Sequence, residues 1–327
     1  MPSTTETPQK SLSPLIIPHA ASQTPVSWVL IQGPDAEDYL HRMTTIQVRD
    51  LPLGHAHLGF LLSPQGKTKS TFYLARLASS EFLAAVVTGA EGSEPATQKF
   101  LEEIDRFKFA ETFEIQPVAQ GFFQTWIIGS PETESQSTLC QFSPERIDFF
   151  VSSSLWNVPL RIVATPSSDL PEMIAKNPTR TLVTPAQVLL ERILHLSPEL
   201  GRELHEDVNP LELGLNSGIA ENKGCYPGQE VIEKIISLGS PAKSLALIRG
   251  NLTPKDTAPT AGTELSLNSS VVGVLSSVAR ESETSWVGLS TLRKNATQVG
   301  QELSLAPGLR AQVAKTRSHS LSNPQKE

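Results

Sequence analysis

The sequence is poor in cysteine, in positive charge and in long hydrophobic runs, and each shortage excludes a class of protein. Its 327 residues contain only two cysteines, Cys140 and Cys225, too few and too far apart for a disulfide scaffold. No stretch approaches the roughly 18 apolar residues that a membrane span needs. The formal net charge of −7 disfavours nucleic acid and anionic lipid as partners. We therefore predict a cytoplasmic protein without a direct nucleic-acid or membrane partner.

The rest of the composition is ordinary for a globular chain. Hydrophobic residues make up 39% and charged residues 19%, and the length allows two or three domains. Residues 1–25 are rich in Ser, Thr and Pro and lack the apolar core of a secretory signal, so we predict a disordered or loosely docked arm there. Residues 316–327 are predicted to be a disordered tail.

Strand and helix signals alternate from Val26 onward. The predicted order is a strand, a helix capped by Asp35, a hairpin about residues 63–66, a strand, a second helix and another strand. The first helix should bury one face, consisting of Ala36, Tyr39, Leu40 and Met43. The second should bury Phe100, Leu101, Ile104 and Phe107. His55 and His57 lack a Cys or acidic neighbour in the sequence, and no metal site is predicted.

The second half of the sequence shows a similar alternation. Residues 121–163 are β-like with a polar loop near 130–138, and a structural role is predicted for Cys140 within them. Thr184 followed by Pro185 is typical of a helix start. Beyond Lys243, short strands separated by polar, Gly or Pro turns predict a small antiparallel barrel.

The most unusual stretch is residues 222–230, N-K-G-C-Y-P-G-Q-E. The glycines and the Pro-Gly dipeptide predict a sharply bent loop before a helix or strand that begins at Gln229. A thiol beside Lys223 is in a setting that favours the thiolate, because a positive charge stabilises the anion. The alternative is a buried structural Cys225 in an ordinary turn. His205 is the nearest histidine upstream in sequence, but no Cys–His pair is assigned.

K-G-C-Y-x-G-Q-E resembles the signature of the YgfZ family of folate-binding proteins, relatives of the glycine-cleavage T-protein, an aminomethyltransferase. The likeness extends over roughly residues 26–305. It includes N-P-L-E-L-G-L at 209–215, G-P-D-A at 33–36, S-P-Q-G-K at 63–67 and V-G-V-L-S-S at 272–277.

The resemblance implies an α+β, T-protein-like fold with a C-terminal antiparallel barrel. Residues 26–243 would form a folate-binding body of two interleaved subdomains about a cleft, and residues 244–315 the barrel. Tetrahydrofolate, or a related reduced folate, is the implied cofactor. The implied partners are iron–sulfur client proteins or cluster-assembly proteins, and we expect a monomer.

The resemblance also gives the candidate site residues. Cys225 and Lys223 are the predicted functional centre, and the predicted folate-binding residues are Lys223, Tyr226, Gln229, Glu230, Arg192 and Glu212. Arg192 is equally compatible with a salt bridge to a neighbouring acid. Whether Cys225 attacks, ligates a cluster transiently or packs stays open.

Two functions compete at this point. The first is an accessory role in the assembly or repair of iron–sulfur clusters in enzymes such as radical-SAM tRNA-modifying proteins. The second is one-carbon transfer or demethylation with folate as acceptor. In the T-protein relatives the hairpin near Gly66 carries an acidic residue, but this sequence has no Asp or Glu between Gly66 and Leu77. That departure counts against aminomethyl transfer. A third possibility is an interaction module that keeps the fold but binds no folate.

Overall fold

A computed structural model describes residues 15–19, 26–89, 93–129, 139–152, 154–166, 181–253, 257–305 and 308–317. The first two thirds contain eleven strands among these residues: β1 (Leu15–His19), β2 (Val26–Gln32), β3 (Ala56–Leu62), β4 (Thr68–Ala78), β5 (Glu81–Val87), β6 (Glu114–Val118), β7 (Phe123–Ile128), β8 (Gln141–Ser143), β9 (Arg146–Val151), β10 (Leu160–Thr165) and β11 (Thr181–Leu182). The helices are α1 (Ala36–Met43), α2 (Ser93–Asp105), α3 (Pro185–Leu194) and α4 (Gln229–Ser237). Short 3₁₀ turns occupy Val48–Asp50, Pro210–Leu213, Asn216–Gly218 and Lys294–Ala296.

The first sheet contains five strands in the order β3-β4-β5-β2-β6. One face packs against α1 and α2, where Tyr39, Leu40, Phe100 and Ile104 are fully buried. The predicted hairpin is β3 and β4, paired from Ala56 opposite Ala75. Helix α2 ends at Asp105, so Phe107 lies beyond it and is 44% exposed, contrary to its predicted place on the buried face.

Asp35 stands at the first turn of α1 but does not cap it as predicted. Its carboxylate accepts a hydrogen bond from the backbone N–H of Thr112 at 2.7 Å and so ties the helix start to the loop before β6. The predicted cap of α3 is confirmed. Thr184 accepts from Gln187 N–H at 3.3 Å, and the Gln187 side chain accepts from Thr184 N–H at 2.8 Å.

The second sheet has the order β11-β1-β7-β10-β9-β8. Its strand β1 pairs along its whole length with β7, from Leu15 opposite Ile128 to His19 opposite Gln124. The prediction of a loose arm is therefore wrong for residues 15–19, where Leu15 and Ile17 are buried in the core. The composition of residues 1–25, dominated by Ser, Thr and Pro, gave no sign of this short apolar strand. The rest of the predicted arm, and the predicted loop at 130–138, lie outside the described residues.

The two sheets are interleaved along the chain, because β1 precedes the first sheet in sequence but belongs to the second. Their facing sides share one large hydrophobic cluster, to which Trp28, Tyr73 and Phe149 contribute. The rings of Trp28 and Phe149 lie 5.4 Å apart between centroids across this interface. This cluster is the core of the body.

The C-terminal strands close into a six-stranded antiparallel barrel, in the order β12-β15-β14-β13-β16-β17. They are β12 (Lys243–Asn251), β13 (Glu264–Leu267), β14 (Ser270–Arg280), β15 (Ser285–Arg293), β16 (Glu302–Leu305) and β17 (Leu309–Thr316). The α+β fold with a C-terminal barrel is thus confirmed. Arg317, placed by prediction in the disordered tail, is 4% exposed and donates to the carbonyls of Leu155 and Leu196, so the tail prediction is wrong at 316–317.

No helix among the described residues has both the length and the hydrophobicity that crossing a membrane would require.

Candidate functional site

Residues 222–230 lie against the end of α1. The Lys223 side chain is 7% exposed, and its Nζ donates to the carbonyl oxygens of His41 at 2.7 Å, Thr44 at 2.5 Å and Ile46 at 2.7 Å. A helix leaves its last carbonyls without intrahelical partners, and a cation there also interacts favourably with the helix dipole. Lys223 therefore fastens the loop to α1.

The other side of the loop rests on the hairpin turn at residues 63–66. Gly228 has a φ of +82°, and a Cβ at that position would lie 2.6 Å from the Ser63 carbonyl oxygen. Only glycine permits this backbone and this approach. The turn is itself held by Asn209, whose Nδ2 donates to the Gly66 carbonyl at 2.7 Å. These contacts join the motifs at 63–67, 209–215 and 222–230, and Lys223 ties the last of them to α1, whose first residue ends the motif at 33–36.

The charge on Lys223 is subject to two opposing effects. Burial, with a smaller contribution from Arg49, lowers the pKa of Lys223 to about 7. The three carbonyl acceptors match the three N–H groups of an ammonium and stabilise the charged form. Lys223 Nζ also lies 5.1 Å from the centre of the Tyr226 ring, in cation–π range.

Cys225 is exposed, whereas the chain's other cysteine is not. Cys140 is 6% exposed, its thiol donates to the carbonyl of Phe150, and its sulfur accepts from Phe150 N–H. Burial raises the pKa of Cys140 to about 12, which makes it inert. The accessible thiol is thus on the loop that Lys223 and Gly228 fix at its two ends.

His41 is the functional candidate that the sequence reasoning missed. It is 5% exposed on α1, its Nδ1 has no hydrogen-bond partner among the described residues, and its Nε2 lies 3.7 Å from where a Cβ on Gly224 would stand. The ring therefore lies beside the residue that precedes Cys225. Nothing in the sequence indicated that His41 is buried, because it lies outside the apolar face of α1 and such a histidine is expected to be exposed.

The pKa of His41 lies below its ordinary value of 6.5, chiefly because of burial and then because of Lys223 and Arg49, with Asp38 and Asp50 opposing. A depressed folded-state pKa means that the unfolded chain binds this proton more readily. His41 therefore contributes stability that is fully present above pH 6.5 and is lost as the pH falls toward the folded-state value.

We accordingly expect His41→Gln to lose less stability than the parent protein between pH 7 and pH 5. Melting temperature measured across that range tests this, with exposed His205→Gln as the matched control that should follow the parent curve. Parallel curves for His41→Gln and the parent would contradict it.

A cavity of about 330 Å³ adjoins the segment that Lys223 anchors. It is lined by Ile46, Gln47, Asp50, Leu58 and Gly218, among others. Gln47 Nε2 donates to Asp50 at 3.0 Å, while its buried Oε1 has no partner among the described residues. Gln47 is therefore a cavity-lining residue with a buried acceptor that no described residue satisfies.

Two residues beside the cavity-lining segments, although not in the cavity wall themselves, also have unpartnered polar atoms. Gly218 packs on Phe60, since a Cβ there would be 2.4 Å from Phe60 Cε2, and Thr71 is the register partner of Phe60. The buried Thr71 hydroxyl and both amide atoms of Asn216 lack partners within the described chain. Buried polar groups are normally paired, and an amide with a hydroxyl offers the donors and acceptors that a pterin edge requires. The chemistry of these groups therefore suits a pterin-type ligand.

The other predicted site residues on these segments make local contacts. Gln229 begins α4 and donates to Glu233 at 2.5 Å, and Glu230 is exposed beside it. Tyr226 is 8% exposed, and burial raises its pKa to about 12. Glu212 closes a capping box with Asn209, accepting from its backbone N–H at 3.3 Å.

Arg192 belongs to a separate cluster. Its guanidinium donates to Glu203 at 2.9 Å, to the Ser197 carbonyl at 2.9 Å and to Ser277 of the barrel at 2.5 Å. These contacts match the alternative given for Arg192, a salt bridge to a neighbouring acid. Through Glu203 and Ser277, Arg192 links α3 to β14. Its predicted role in folate binding stays a prediction, as do those of the other five residues.

Comparisons with known proteins agree with this architecture. Residues 22–162 match the family model of the GCVT N-terminal domain. A chloroplastic "putative transferase" of Arabidopsis thaliana is 29% identical over 126 residues, which cover 38% of this chain but only 28% of that protein. The crystal structure of glycine cleavage system aminomethyltransferase T from Bartonella henselae superposes with a TM-score of 0.72 at 16% identity, covering 93% of this chain and 86% of that one.

At that identity the structural likeness establishes the fold. The chain has the fold of aminomethyltransferase T, with a GCVT N-terminal domain match in its first half and a closed six-stranded barrel at its C-terminal end.

Proposed function

We propose that this chain binds tetrahydrofolate or a related reduced folate and supports the assembly or repair of iron–sulfur clusters in client enzymes, including radical-SAM tRNA-modifying enzymes. The observation that carries the proposal is the exposed Cys225 on a loop anchored by Lys223. The YgfZ-like signature of residues 222–230 directs the proposal to iron–sulfur chemistry.

The chemistry available to the thiol limits what the protein can do. Thiolates bind iron strongly, and an ordinary cluster site uses about four of them. With one exposed and one buried cysteine, the chain supplies a single accessible thiol. We therefore infer a transient role for Cys225, either as a ligand during transfer to a client or as a nucleophile, rather than permanent ownership of a cluster.

The folate part of the proposal rests on the unpartnered polar groups near the cavity. Gln47, Thr71 and Asn216 would hold the pterin through hydrogen bonds that they do not make to other described residues. A reduced folate supplies one-carbon chemistry at its ring and bridge nitrogens when bound. The segment from His41 to Ile46 would couple the two parts of the site, because it is fastened to Lys223 and ends at the cavity wall.

A folate-dependent one-carbon transferase is the second candidate, and one observation favours it. The carboxylate of Asp50 lines the cavity, so an acid is present although strand β4 carries none. However, Asp50 is exposed and accepts from Gln47, whereas proton transfer needs a carboxylate fixed at the reacting atom.

We expect no transfer of an aminomethyl group from the lipoyl carrier protein of glycine cleavage to tetrahydrofolate by the purified chain. The reason is the absence of any carboxylate between Gly66 and Leu77. Product formation is measured with an active aminomethyltransferase as the positive control. Robust turnover that Asp50→Asn abolishes would overturn this expectation in favour of the second candidate.

Deletion of the gene tests the accessory role. Iron–sulfur enzyme activities should fall in the deletion strain, recover when the chain is supplied, and depend on folate supply in the complemented strain. Activities of iron enzymes without clusters serve as the control. Unchanged iron–sulfur enzyme activities in folate-replete deletion cells would contradict the role. Cytoplasmic location and a monomeric state remain our predictions.

A further inference from the structure

A second cavity lies where residues 199–205 cross the outer surface of the barrel. Its volume is about 430 Å³. Arg202, Glu203 and His205 line it from the body, and Lys243 and Arg293 line it from strands β12 and β15. Four of these five side chains can carry positive charge, in a chain whose net charge is −7.

Two of the cations face each other without compensation. Lys243 and Arg293 are direct register partners on antiparallel strands. Directly opposed residues have Cβ atoms only about 5 Å apart, and like charges in that position are destabilising. Within the described part of the chain, neither side chain has a carboxylate within 4.0 Å or a side-chain hydrogen bond.

The acids around the cavity already have partners. The Glu203 side chain is 0% exposed, pairs with Arg192 at 2.9 Å and accepts from Ser276 at 2.5 Å and Ser277 at 2.6 Å. Glu199 pairs with Arg202 at 2.9 Å. The acids therefore neutralise the body side of the cavity and leave Lys243 and Arg293 uncompensated.

We propose that this cavity binds a small polyanion carrying two neighbouring oxyanion groups, of the phosphate or carboxylate class. The planar guanidinium of Arg293 suits two oxygens of one group, and the ammonium of Lys243 supplies a point charge for the second. His205 and Arg202 border the opposite wall. This site is separate from the proposed folate site and does not depend on it.

Calorimetric titration of the full chain tests the site, with inorganic pyrophosphate as the phosphate probe and citrate as the carboxylate probe. We expect saturable binding of at least one probe at one molecule per chain. The affinity should be weaker at roughly 300 mM than at roughly 20 mM KCl, because salt screens the attraction between the anion and the exposed cations. The double variant Lys243→Gln, Arg293→Gln should weaken binding at least tenfold. Removing the like-charge pair should also leave its melting temperature without ligand equal or higher.

The matched control removes two exposed lysines outside the cavity, Lys234→Gln with Lys315→Gln, and so changes the net charge equally. This control should retain the affinity of the parent protein. Three results would overturn the proposal: absence of saturable binding of both probes, an equal loss of affinity in the control, or unchanged affinity in the Lys243→Gln, Arg293→Gln variant. The stronger of the two probes identifies the chemical source of the anion.

Discussion

Replacing Cys225 by serine is expected to abolish recovery of iron–sulfur enzyme activity in the deletion strain while leaving the fold intact. The side chain is exposed, and a surface substitution away from special structural features changes stability by no more than about 0.5 kcal/mol. Serine keeps the size of the side chain but provides neither a thiolate nucleophile nor a soft metal ligand. Cys225→Ser should therefore lose the recovery of iron–sulfur enzyme activity while its stability stays that of the parent.

Cys140→Ser is the matched control for that experiment. It removes the chain's other thiol, at a buried position where serine can still bond to the backbone of Phe150. We expect full recovery of enzyme activity with this variant, provided that its level in cells is matched to the parent. Full recovery with Cys225→Ser would return the loop to a structural role.

Replacing Lys223 by methionine should cost about 3 kcal/mol of unfolding free energy. Methionine has a similar length but leaves the carbonyls of His41 and Thr44 without a donor, whereas the Ile46 carbonyl keeps its bond from the Val48 N–H at 2.9 Å. A buried acceptor left unpaired costs about 1–3 kcal/mol, and removing the costly buried cation offsets part of the sum. Denaturant unfolding gives the change in free energy directly.

The loop itself should also loosen in Lys223→Met. Alkylation of Cys225 would then report a disordered loop, and enzyme recovery should fall together with stability. Lys234→Met, at an exposed position on α4, provides the control and should change stability by less than about 0.5 kcal/mol. A Lys223→Met variant as stable as this control would show that the three hydrogen bonds do not fasten the loop.

Local signals in the sequence were sufficient for most elements of the fold. Short apolar runs identified β2 and β4, and the Thr184-Pro185 pair located the start of α3, because both signals depend on neighbours in sequence. Strand β1 escaped prediction because its stability comes from pairing with β7, more than a hundred residues away. Asp35 likewise bonds to Thr112 rather than to its own helix.

The same distinction applies to the site. The motif around Cys225 was evident in the sequence, including the need for glycine at Gly228. The partners of Lys223 were not, since they are backbone carbonyls, which every residue possesses. His41 was missed because only the tertiary fold turns a polar helix residue inward beside Gly224.

Asn216 offers the sharpest probe of the folate site. Both of its amide atoms are buried and lack partners among the described residues. Asn216→Leu keeps the approximate shape and relieves an unpaired polar group, so it should be neutral or stabilising without ligand. If Asn216 only supported the fold, Asn216→Leu would instead destabilise the protein without ligand.

The most direct test of the account is the melting temperature of the full chain titrated with tetrahydrofolate under reducing conditions, for the parent and Asn216→Leu. A ligand that binds only the folded state adds about 2.7 kcal/mol at a hundredfold excess over Kd, so a clear, saturable rise is predicted for the parent. The rise for Asn216→Leu should require at least tenfold more ligand. A parent protein that shows no shift at saturating tetrahydrofolate, or a variant that shifts identically, would contradict the proposed site.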